Sequence, residues 1–74
     1  MSKITTLIEG KWVVDISNSE GGYNYYGYID KYGSWVIMRE NTAQTEYRFS
    51  FGSSGYTTAW TGRTELVYKK TLTG

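Results

Sequence analysis

Seventy-four residues suit one small domain, near the size at which many chains need a disulfide, a metal or a partner to stay folded. The chain has no cysteine and no histidine, so disulfides, thiolate metal sites, the commonest zinc ligand and the commonest general base are all excluded. Eight Lys and Arg against seven Asp and Glu leave a net charge of +1, too little for a binder that neutralises a nucleic-acid backbone.

The first ten residues, MSKITTLIEG, are broken by polar and charged side chains before any signal-type apolar region forms, and the mature chain is expected to begin near Met1. No apolar run approaches the ~18 residues that span a bilayer, so no membrane partner is expected. Residues 1–10 read as an arm, 11–70 as a single domain and 71–74 as a loose tail. Stability falls to packed apolar surface, which 18% aromatic content can supply.

From Trp12 to Ile16 apolar residues recur at even positions, which predicts a strand. The cluster SNSEGG, Ser17 to Gly22, predicts a turn through its glycines and its locally bonding Ser and Asn residues. A second strand is predicted from Tyr23 to Ile29, inside a stretch with five tyrosines and a tryptophan between Tyr23 and Trp35. Asp30 to Gly33 reads as a hairpin loop, with Asp opening a type I turn and Gly in the left-handed position. A third strand follows from Ser34 to Glu40, then a polar loop from Asn41 to Gln44. TEYRFSF, from Thr45, alternates strictly and predicts the fourth strand. Tyr56 to Gly62 is expected to be irregular or one helical turn tucking Trp60 inward, and Glu65 to Lys69 a last strand. The fold class is therefore all-β, a small antiparallel sheet of about five strands closing into a barrel or sandwich.

Hairpin loops fix which side chains meet. With Ile29 opposite Ser34, and Glu40 opposite Thr45 so that Arg39 meets Glu46, one face holds Tyr23, Tyr25, Gly27, Val36, Met38, Tyr47, Phe49 and Phe51, and is expected to be the core. The other carries Tyr26, Tyr28, Trp35, Ile37 and Arg39, rimmed by Glu46 and Arg48. Three covers suit that second face: the strand from Trp12 or the segment around Trp60, another copy of the chain, or a ligand such as a sugar. Tyr26, Tyr28, Trp35, Ile37, Arg39, Arg48 and Trp60 are the candidate interface or ligand residues.

No nucleophile and base pair is spaced for catalysis, and GSSG at 52–55 lacks the lysine and strand-to-helix context of a phosphate loop. The carboxylates are scattered, so no metal or other cofactor and no enzymatic activity is expected. Nucleic acid is disfavoured because Glu40 and Glu46 lie among the cations. Sugar stacking on Tyr28, Tyr32, Trp35 or Trp60 fits the chemistry better and gives an alternative reading as a carbohydrate- or cell-surface-binding β module.

The stretch YYGYIDKYGSWVIMREN, followed by TEYRFSFGSSGYTTAWTGRTELVYKK, resembles a group of short β-rich structural proteins of tailed bacteriophages. The resemblance covers about residues 23–69, and includes a closing segment with Trp60, Arg63, Leu66 and Tyr68. It implies a virion component of a capsid decoration, neck, tail or fibre, assembled in the host cytoplasm and acting by self-association and docking. Homo-oligomers and other virion proteins are the partners it implies, and it transfers no ligand residues.

Overall fold

The computed structural model describes residues 10–70, and its framework is a single antiparallel sheet in the order β1-β2-β3-β4. The strands are β1 (Trp12–Glu20), β2 (Tyr23–Ile29), β3 (Trp35–Asn41) and β4 (Tyr47–Gly52). A short helix α1 (Tyr56–Thr61) and a 3₁₀ turn at Arg63–Glu65 complete it. The expected tail at 71–74, and all but Gly10 of the expected arm, lie outside the described residues.

The sheet is mainly β as expected, but it has four strands and stays open instead of closing into a barrel or sandwich. The fifth strand expected at Glu65 to Lys69 is reduced to one bridge, in which Lys69 and Phe49 exchange two backbone hydrogen bonds of 2.7 Å. After α1 the chain keeps coiling: the Gly62 N–H bonds to Thr58 O and the Glu65 N–H to Gly62 O. Extended backbone returns only at Leu66.

The turn expected over Ser17 to Gly22 contracts to Gly21 and Gly22, both at positive φ (59° and 87°), which suits a two-residue hairpin. β1 runs on to Glu20 through a bulge, with Ser19 at φ 58° and its N–H donated to Asn24 Oδ1. A second bulge at Val14 shifts the alternation, so Trp12 and Ile16 fall on opposite faces.

The β2–β3 register differs by one residue from the sequence expectation, pairing Ile29 with Trp35 and Tyr28 with Val36. Asp30 belongs to the ladder: its N–H bonds to Ser34 O, and its Oδ1 accepts from the Tyr32 and Ser34 N–H groups. Only Lys31, Tyr32 and Gly33 are looped out, and an odd loop flips every side chain of one strand to the other face. The β3–β4 register differs by two, with Glu40 opposite Tyr47 and Arg39 opposite Arg48 instead of Glu46. Asn41 decides this, since its Oδ1 accepts the Thr45 and Glu46 N–H groups and its Nδ2 donates to Thr45 Oγ1. Those bonds outweigh a surface charge pair worth a few tenths of a kcal/mol.

The single core face expected from the alternation is thus two. One buries Tyr26, Tyr28, Val36 and Met38, flanked by Val13 and Phe49. The other buries Tyr25, Trp35, Ile37 and Ala59 beneath Tyr56, Trp60, Leu66 and Tyr68. Gly27 makes the second face possible, because a Cβ there would stand 2.9 Å from Tyr56 Cζ and 3.0 Å from Trp60 Cε3.

Candidate functional site

The seven residues singled out from the sequence do not form one surface. Tyr26 and Tyr28 are buried on one side of the sheet, Trp35 and Ile37 on the other. Trp35 lies on Gly52 and donates its indole N–H to Ser54 O at 2.6 Å. For Trp35 and Ile37 the cover is the chain's own α1 and the segment after it, among the covers the sequence left open. None of the four offers a face to a partner. Arg39, Arg48 and Trp60 remain half-buried, and they gather at the helix-side face.

Arg39 occupies the centre of that gathering. Its Cζ lies 4.5 Å from the Tyr23 ring centroid and 4.7 Å from that of Tyr68, a pair of cation–π contacts. Tyr25, its cross-strand neighbour, completes an aromatic run with ring centroids 6.3 Å from Tyr23 and 6.2 Å from Tyr68. Burial pushes the Tyr25 phenol up, and the Arg39 charge opposes that shift. Burial pushes the Tyr68 phenol up as well, and its hydroxyl donates to Arg63 O at 2.7 Å.

Arg63 closes the lower edge of the face. Its Nε lies 3.0 Å from Glu20 Oε1, its Nη1 donates to Trp60 O, and its Cζ stands 4.5 Å over the Trp60 ring. The Ser17 hydroxyl, then Arg63, hold the Glu20 carboxyl below its ordinary range. Trp60 stacks on Tyr56, whose hydroxyl donates to Asp15 Oδ2 at 2.7 Å and so ties α1 to β1. With Arg63 over its ring and Tyr56 against it, Trp60 offers a sugar little free π surface.

A separate polar cluster sits at the end of the opposite face. Glu40 is buried, and its Oε1 accepts from Asn24 Nδ2 at 3.1 Å and from the Tyr26 hydroxyl at 2.9 Å. Burial, then that bond to Glu40, pushes the Tyr26 phenol up to about 12. Every bond in the cluster is to a neighbouring strand, which is what a buried carboxylate needs in order to be tolerated.

Exposed apolar surface collects instead on β1. Trp12, Val14 and Ile16 are 59%, 49% and 44% exposed along the outer strand. Tyr32, at the tip of the β2–β3 hairpin, is the most exposed ring at 78%. The sequence signal for the β1 surface was present in WVVDI, an apolar strand without the lysine or proline that blunts an edge. From the sequence that strand is equally a cover for the second face, because nothing local says whether an edge strand folds inward.

No protein-family model, curated protein or solved structure matches the chain. No helix among the described residues is long and apolar enough to cross a membrane.

Proposed function

We propose that this chain is a non-enzymatic structural subunit of a bacteriophage virion, acting by self-association and docking, with β1 as its contact. The resemblance of residues 23–69 to short tailed-phage structural proteins supplies the setting. One observation carries the mechanism: Trp12, Val14 and Ile16 are exposed on an outermost strand that no other described strand covers. Large apolar residues exposed along an unpaired edge strand commonly mark a protein contact.

The bulges at Val14 and near Ser19 interrupt the outward row of N–H and C=O groups. A second copy therefore docks against the β1 edge at Val14, with Trp12 and Ile16 flanking it on opposite faces, and not by extending the ladder. Sedimentation velocity on the full chain tests this. Self-association is expected for the wild type and its loss for Val14→Lys, with the same circular dichroism spectrum. A wild type that stays monomeric at the highest soluble concentration would overturn the reading. Recovery of its peptides from purified phage particles tests the setting independently.

A further inference from the structure

Arg39 and Arg48 stand directly opposite each other on β3 and β4. Like charges so placed destabilise a sheet unless something offsets them. Among the described residues neither arginine forms an ion pair: the pairs that do form join Lys11 to Asp30 and Arg63 to Glu20. Arg48 donates Nη1 to Tyr47 O. Arg39 donates to no described residue, and its Nε is buried without a partner.

A guanidinium carries five N–H donors in a rigid planar fork. The rings of Tyr23 and Tyr68 attract the Arg39 charge and hold it in place, yet cation–π contacts give its buried Nε–H no acceptor. Two positive charges and an unpartnered fork, walled by aromatic surface that weakens solvent screening, call for an anion. The flanking rings crowd the guanidinium on two sides, which suits a flat carboxylate better than a tetrahedral phosphate. We propose that Arg39, assisted by Arg48, binds a carboxylate through the Arg39 fork between Tyr23 and Tyr68. The proposal does not depend on self-association through β1, which lies at the far edge of the sheet.

Among the described residues Glu46 is a competitor, two residues along β4 from Arg48, and Glu20 is already engaged by Arg63 and Ser17. The test is a titration of the full chain, followed through the Arg39 Nε–H resonance in ¹H–¹⁵N spectra. Sodium acetate, sodium phosphate and a short peptide bearing one glutamate are each compared with sodium chloride at equal ionic strength. Acetate is expected to move the resonance saturably, and chloride is not. Arg39→Lys, which keeps the charge and loses the fork, should weaken acetate binding about tenfold, followed through backbone amides, and Arg48→Gln several-fold. Tighter binding of the peptide than of acetate assigns the carboxylate to a polypeptide, and equal binding assigns it to a small acid. Three results overturn the proposal: saturation by phosphate but not acetate, an equal response to chloride, or a ligand-free Arg39 signal that shifts in Glu46→Gln. Because the wild-type resonance is read directly, the outcome stands even if Arg39→Lys fails to fold.

Discussion

Ile37 and Tyr32 show how little residue type says about weight in this molecule. Ile37 is fully buried between Gly27 and Ser50, under the helix-side cluster, whereas Tyr32 projects from a hairpin tip. Ile37→Ala is expected to cost about 2–5 kcal/mol, and Tyr32→Ala to stay within about 0.5 kcal/mol, in urea melts. Equal midpoints for the two variants would refute the placement of the core. Ring count alone misleads here, because Tyr28 and Tyr32 lie four residues apart and one is buried while the other is not. Alternation located both strands of that hairpin, and what it missed was the odd loop, held by the two N–H groups that the Asp30 side chain accepts. The same bonds, after that from Lys11, hold the Asp30 carboxyl below its ordinary range.

Among the elements, α1 is the one whose position rests on a single absent side chain. It is six residues long, its N-cap Gly55 offers no side-chain bond, and isolated helices of that length are not stable in water. Docking of Tyr56 and Trp60 onto Gly27 and of Tyr56 onto Asp15 therefore holds it. Gly27→Ala should force the two rings off the sheet and cost about 1–3 kcal/mol as overpacking. The expected signature is a change in tryptophan emission together with a lowered melting temperature, and an unchanged emission spectrum would show that α1 docks elsewhere. The inward Trp60 was legible, and Leu66 and Tyr68 pack beside it on the helix-side cluster without the strand expected there, with Arg63 over Trp60. From the sequence Gly27 is only a member of the expected core face, since the partner that packs on it lies twenty-nine residues away at Tyr56.

For the whole molecule, the burial of so many phenols sets an alkaline limit. Burial raises Tyr26 and Tyr28 from 10.0 to about 12, so in the folded state both stay neutral where the unfolded chain would ionise. A raised folded pKa contributes stability that is complete below the unfolded value and is lost as pH climbs through the folded one. Stability should thus be level up to about pH 10 and fall between about pH 10 and 12. Tyrosinate absorbance followed beside far-ultraviolet circular dichroism checks this: the buried phenols should ionise together with unfolding, and ionisation without loss of the dichroism would contradict it. The proposed assembly belongs to this scale too, as the exposed side chains of β1 are recognised only once the sheet is seen to stop there.

The amino-acid sequence determined the class of molecule: a small disulfide-free chain of antiparallel strands, their approximate positions, and an inward Trp60. These follow from composition and local alternation, which act over a few residues. Tertiary structure decided the rest, namely which ring faces which side, that the sheet stays open at four strands, and that Arg39 meets Arg48 and not Glu46. A hairpin loop that differs by one residue inverts a whole strand. The side-chain bonds of Asp30 and Asn41 set the two loops, and the packing of distant groups, Tyr56 on Gly27 and Lys69 on Phe49, settles which segments cover the sheet.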